Sequence, residues 1–319
     1  MGEHGNTCQK MTVPEAQEEF LSILRRMNDE ENLKKLLSWI HWNWLNSCTP
    51  PSKKRELPDD VLSAIADDIR SELPPDAILP SETIVTSTVG PNSDCDPNHS
   101  IHVDAFLYDD EMVDKLCDEG QIPRSYCLQC GSRKTKPLTY FSHSASRERI
   151  NLMFNALLPP IDGKVVLDIG SRLGGILYGA FLYTRAAKIV GIEMNSDFCK
   201  LQREVIKKYN FQDRIEIIED NVINRPDVVQ AADVIIMNNV FEFFMDLDHQ
   251  VMMWSFLQQT IRKGTLLVTV PPLEETFADL PVNINLAAWV QEMPPFNDDA
   301  PNITNISSEL SAVKKYQVL

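Results

Sequence analysis

Lys164-Val165-Val166-Leu167-Asp168-Ile169-Gly170-Ser171-Arg172-Leu173-Gly174-Gly175 is followed, after one helix length, by Ile189-Val190-Gly191-Ile192-Glu193. An apolar run leading into a glycine turn that opens a helix, then a second apolar run ending in an acid, is the first half of a nucleotide-binding α/β fold. The elements beyond it keep that rhythm. A helix carries Phe198, Leu201, Val205 and Ile206, and strands are expected at 214–218, 233–237 and 265–270, with a helix from Leu247 to Arg262 stopped by Gly264. Strands alternating with helices at this spacing imply a parallel sheet with right-handed crossovers.

The positions of the acids and glycines narrow the chemistry. A dinucleotide site needs G-x-G-x-x-G, because backbone amides at a helix N-terminus must press on a pyrophosphate, and this chain lacks it. Instead Asp168 stands two residues before the first glycine, where a carboxylate repels phosphate and suits a cation such as a sulfonium. Glu193, at the tip of the next strand, is placed to accept hydrogen bonds from ribose hydroxyls. Asp168-Ile169-Gly170-Ser171-Arg172-Leu173-Gly174 resembles the motif of the class I S-adenosylmethionine-dependent methyltransferases, an acid followed by x-G-x-G-x-G, over roughly the C-terminal half of the chain. The resemblance implies a Rossmann-like, seven-stranded sheet with S-adenosylmethionine as cofactor, held by Asp168, Gly170, Gly174 and Glu193. It also implies an acid meeting the adenine amino group, for which Asp220 and Asn221 are the candidates. Arg172 stands where the family has its middle glycine. Its guanidinium is expected either to turn outward or to pair with the cofactor's methionine carboxylate.

The resemblance places the methyl acceptor at Asn238-Asn239-Val240-Phe241-Glu242-Phe243, beyond the fourth strand, so Asn238 counts with the cofactor residues and, with Glu242, as a catalytic candidate. His143 is a further candidate to take a proton or a hydrogen bond. The plainer readings are loop-capping asparagines, a solvated surface acid and a hydrogen-bonded loop histidine. Val234 to Gln250 is similar over a short span to the non-SET histone lysine methyltransferases, and the Asn-Pro-Pro-Tyr signature of enzymes that methylate nucleobase or amide nitrogens is absent.

Composition bounds the partners. The 319 residues carry a formal net charge of −16, which opposes docking on a nucleic-acid backbone, so a protein or peptide side chain is the expected acceptor, with a small molecule as the alternative. No membrane-spanning run occurs, the first ten residues are polar, and seven scattered cysteines suit a reducing compartment, cytoplasmic or nuclear. Cys127-Leu128-Gln129-Cys130 is either half of a zinc site or two reduced cysteines. With no second C-x-x-C, no metal is assigned.

Three regions are expected: a helical N-terminal unit over 1–77, a connecting region with the cysteine turn over 78–142, and the methyltransferase domain over 143–319. In the first, helices are expected at Pro14 to Met27, Glu30 to Ser47 (with Trp39, Trp42 and Trp44) and Asp59 to Leu73. In the second, strand-like pieces lie at Thr83 to Thr88 and Ile101 to Leu107. After Pro272, Val282 to Val290 is expected as strand or helix and Lys315 to Leu319 as a closing strand. The chain is expected to be a methyltransferase enzyme; the alternative is a catalytically inactive methyltransferase-like module acting as a binding or adaptor protein.

Overall fold

The computed structural model describes residues 12–26, 57–84, 99–128, 133–296 and 312–319. The chain divides into two compact units, 1–55 and 56–319. In the first, the described residues form the helix Val13–Arg26, with Phe20 and Leu24 half-buried and Leu21 and Ile23 exposed. The second expected helix, with its three tryptophans, lies outside the described residues, as do Met27 and Cys130.

The second unit is built on a seven-stranded sheet. Four short strands precede it: β1 (Ser100–His102) pairs in parallel with β4 (Thr139–Phe141), and β2 (Ser125–Cys127) pairs antiparallel with β3 (Thr135–Pro137). The sheet itself comprises β5 (Val165–Ile169), β6 (Lys188–Glu193), β7 (Ile215–Glu219), β8 (Val234–Asn238), β9 (Leu266–Val270), β10 (Val290–Glu292) and β11 (Lys314–Val318). Their spatial order is β7-β6-β5-β8-β9-β11-β10, and all run parallel except β11, which is reversed between β9 and β10.

The sheet is covered on both sides, which is why its inner strands read as continuous apolar runs. Successive residues point to opposite faces. Val166, Ile236 and Val268 join one core with the helix Gly175–Tyr183, while Leu167, Ile235 and Leu267 join another with Met253, Trp254 and Leu257 of the helix Leu247–Thr260. The order reverses between β5 and β8, and ligands of open α/β sheets bind outside the carboxyl ends of the strands at such a switch point.

Several expectations are corrected. The helix Pro58–Arg70, assigned from sequence to an N-terminal helical unit, falls in the sheet's unit: its stripe Leu62, Ile65, Ala66 and Ile69 is buried in the same core as Val166 and Ile236. The expected strand at 101–107 stops at His102, because the Asp104 carboxylate accepts the amides of Phe106 (3.0 Å) and Leu107 (3.2 Å) and turns the chain. Residues 83 and 84 form no strand, and the rest of that expected piece lies outside the described residues. The stretch 282–290 is mostly loop, with a short helix Leu286–Trp289 leading into β10. Among the described residues no cluster of three potential metal ligands occurs, and Cys127 is exposed. No described helix is long and apolar enough to cross a membrane.

Candidate active site

The turn after β5 takes left-handed backbone at alternate residues: Gly170 (φ +73°), Arg172 (φ +43°) and Gly174 (φ +82°). A Cβ on Gly170 would lie 2.6 Å from Val240 Cγ2, so glycine there lets the turn touch the loop beyond β8. The turn is fastened to its surroundings. The amides of Gly170 and Ser171 donate to the carbonyl of Ile192 (2.9 and 3.2 Å), Ser171 Oγ donates to Gln202 Oε1 (2.9 Å), and Gln202 Nε2 donates to the Arg172 carbonyl (2.7 Å).

Two carboxylates face this turn. Glu193, at the tip of β6, accepts the Arg172 amide on Oε2 (2.9 Å) and the Asn195 amide on Oε1 (2.8 Å), and burial raises its pKa against these donors. Asp168 is 2% exposed, and its pKa is raised well above the usual carboxylate range by burial and then by the charge of Glu193. No donor or cation among the described residues pulls it back.

Arg172 turns its guanidinium away from the role of a carboxylate clamp and commits it to the segment ahead of the sheet. Nη1 donates to Asp104 Oδ2 (2.8 Å), Nη2 to the Ala77 carbonyl (2.8 Å), and Nε to Glu82 Oε1 (3.2 Å), with the cation 5.0 Å from the ring centroid of Phe198. The alternative in which it binds a cofactor's carboxylate is therefore set aside, because every face of the fork already has an acceptor.

At the tip of β7 the Asp220 amide donates to the Glu193 carbonyl (3.1 Å), which sets these two acids side by side. Asp220 Oδ1 accepts from Asn224 Nδ2 (2.9 Å), while Asn221 Oδ1 accepts the Ile223 amide (3.2 Å) and caps a short 3₁₀ turn. At the tip of β8, Asn238 donates from Nδ2 to the His143 carbonyl (3.0 Å) and accepts from Arg149 Nη1 (3.3 Å); Asn239 donates to the Ser142 carbonyl (3.1 Å). Both asparagines thus hold the 142–143 loop. Glu242 is 7% exposed, which corrects its reading as a solvated surface acid. His143 is buried against His102 (ring centroids 4.2 Å apart), Phe243 (4.5 Å) and Phe244 (5.1 Å), and neither ring nitrogen has a hydrogen-bond partner. Burial above all lowers its pKa to about 2, and that of His102 to about 3.

Asp168, Gly170, Arg172 and Asn238 line one concavity of about 300 Å³, mouth included, together with Phe106 and His143. Glu193 reaches the concavity through the Arg172 amide, whereas Gly174, Asp220, Asn221 and Glu242 are not on its wall. Sequence reasoning missed Glu82, Asp104 and Arg149. The one available signal was Arg149 itself, a charge on the inward face of a helix beside Ile150 and Met153.

No family model and no curated protein matches the chain. Among solved structures, it is similar to an RNA methyltransferase from Salinibacter ruber in complex with S-adenosyl-L-homocysteine, at 16% identity over 54% of this chain and 88% of the other (TM-score 0.34). It is likewise similar to precorrin-6y C5,15-methyltransferase from Geobacter metallireducens GS-15, at 11% identity over 56% and 90% (TM-score 0.39). These likenesses are partial, and the fold assignment rests on the chain's own strand order. With five parallel strands reversing at the β5–β8 switch point, an inverted β11 inserted before the last strand, and a glycine turn after β5, the second unit has the fold of the class I S-adenosylmethionine-dependent methyltransferases.

Proposed function

We propose that the concavity at the tips of β5, β6 and β8 binds S-adenosylmethionine and that the chain is a methyltransferase. The observation that carries this reading is Asp168, a buried carboxylate with no donor or cation to offset it, raised further by Glu193. Asp168 and Glu193, at neighbouring strand tips, cost free energy while no cation offsets Asp168, and a cationic ligand relieves both. The donor set therefore fits a sulfonium nucleoside. Asp168 takes the cationic end, and Glu193, oriented by its two backbone donors, keeps lone pairs for ribose hydroxyls. Asp220 takes the adenine edge, since Asn221 is spent on its cap.

When bound, the cofactor supplies a methyl group already activated by the positive sulfur, so the protein has only to align and desolvate the acceptor. Asn238, fixed between the His143 carbonyl and Arg149, forms the rigid wall at which an acceptor is aligned, and the buried Glu242, four residues on, is the acid for a leaving proton. A net charge of −16 favours a basic protein or peptide acceptor, or a small molecule, over nucleic acid.

A second reading, an inactive module that binds partners, is favoured by one observation: Arg172 replaces the family's middle glycine and ties the turn to Ala77, Glu82 and Asp104. Calorimetry with S-adenosylmethionine and S-adenosylhomocysteine separates the two. The first reading expects heat with wild type and none with Asp168→Asn, which keeps the shape and removes the charge. Absence of heat with wild type for both ligands rejects the first.

A further inference from the structure

The concavity at the strand tips is a seam between two parts of the chain. Phe106, His143, Ser144 and Ala145, from segments that precede the sheet, form one side of it; β5, its glycine turn, the start of the helix Gly175–Tyr183 and Asn238 form the other. Most of its volume is mouth, and the enclosed space holds about one water molecule. A nucleoside carrying an amino acid does not enter it as it stands. Phe106 is part of the reason: its side chain is wholly buried, and a Cβ on Gly175 would lie 2.7 Å from its Cδ2, so the ring rests on the backbone that opens the helix.

The bonding across the seam differs from the bonding on either side of it. Segments 75–82, 100–107 and 139–145 form one cap, in which β1 pairs with β4, the Asp104 amide donates to the Pro75 carbonyl (3.0 Å) and Ser144 Oγ donates to Asp104 Oδ2 (2.6 Å). Among the described residues, no backbone-to-backbone hydrogen bond joins this cap to the strand tips. Side chains do all the polar fastening. Asn238 and Asn239 hold the 142–143 loop, and Arg172 holds Ala77, Glu82 and Asp104. Beyond Glu193, Ser81 Oγ donates to Asp197 Oδ2 (2.7 Å) and accepts from Asn195 Nδ2 (3.0 Å), at the start of the helix Ser196–Lys208. A joint of this kind exchanges its bonds for water and leaves the sheet's own ladders intact.

We propose that the cap is a lid over the cofactor site, opening along this seam to admit and release the nucleoside, with Arg172 and the acids Glu82 and Asp104 as its latch. The cargo rests on the cofactor reading above, whereas the opening is a property of the chain alone. Closed, the lid keeps water from Asp168; open, it bares the tips of β5 and β6 together.

Hydrogen exchange of the full chain, read by mass spectrometry, tests the opening without any ligand, and stopped-flow mixing with S-adenosylhomocysteine tests what it admits. Glu82→Gln keeps the shape of the latch and removes one charge. Ser81→Cys with Asp197→Cys allows the cap to be cross-linked to the helix by oxidation and freed by a reductant, so each sample is its own folding control. The amides of Asp104, Phe106 and Leu107 are expected to exchange at least tenfold faster than those of β5 and β6, and to slow on cross-linking. Association of S-adenosylhomocysteine should be about tenfold faster in Glu82→Gln, the size of one charge-assisted hydrogen bond, and at least tenfold slower in the oxidised double variant than after reduction. Cap amides as protected as those of the sheet overturn the proposal by making the cap a fixed wall. Equal association by the oxidised and reduced double variant, or a wild-type rate in Glu82→Gln, also overturns it. Early cap exchange that slows on cross-linking, with no S-adenosylhomocysteine response in any form, keeps the moving cap and sinks the cofactor reading.

Discussion

Replacing Arg172 by glycine restores the middle glycine of the motif and removes the cation from a pair of buried acids. The Asp104 side chain is wholly buried and that of Glu82 is 5% exposed, so neither charge has water to fall back on. Breaking a buried ion pair from one side costs about 3–5 kcal/mol. Against this stands the backbone: Arg172 sits at φ +43°, where a side chain costs about 1–2 kcal/mol that glycine does not incur. Arg172→Gly is therefore expected to be about 2–3 kcal/mol less stable than wild type. Arg172→Ala, which loses the pair and keeps the strain, should fall about 1 kcal/mol further.

The deficit should also depend on pH. Burial raises the Asp104 pKa, and Arg172 is the largest influence holding it down, so in the variant it rises further. A group with a raised folded pKa contributes stability that is full below its unfolded pKa and lost as pH rises through the folded one. The gap between wild type and Arg172→Gly should accordingly narrow on acidification. Urea unfolding at pH 7.5 and pH 5.5, with m-values compared, measures both effects. A glycine variant as stable as wild type at pH 7.5, or a gap that widens in acid, refutes the account of Arg172 as the counter-ion of these acids.

Three further outcomes follow from the site. His102 and His143 are buried neutral with pKa values lowered to about 3 and about 2, so the unfolded chain takes up protons that the folded one refuses below about pH 6.5. Stability should fall by up to about 1.4 kcal/mol per pH unit for each, and His143→Phe should show a shallower loss between pH 6.5 and 5 in urea titrations. Asp168→Asn should be more stable than wild type at pH 7.5, with the gain fading as the pH approaches about 4, because its folded pKa is raised and the charge it removes is unfavourable only once ionised; thermal melts across that range check the sign. Gly170→Ala should cost about 2 kcal/mol or more, since its Cβ would enter Val240 Cγ2 at a left-handed position, and Val240→Ala in the same chain should recover only the steric part.

The strand-turn-helix around Asp168 and the acid-tipped strand ending in Glu193 were legible because their signals are local. A buried parallel strand is a continuous apolar run, and a left-handed turn draws glycine. The helix Pro58–Arg70 was equally clear as an element, yet its assignment to a separate N-terminal unit failed, because an apolar stripe says that something covers it and not what.

By itself, then, the sequence determined the order and type of elements and the two acids at neighbouring strand tips. Only the tertiary structure decided where Arg172 points, since its acceptors Ala77, Glu82 and Asp104 lie 68 to 95 residues away in the chain. It alone also brought His102 onto His143 and buried Trp254 Nε1 and Thr269 Oγ1 without a hydrogen-bond partner. Periodicity is a property of neighbours along the backbone, whereas a buried charge or an orphaned donor is a property of whichever distant segments the packing brings alongside.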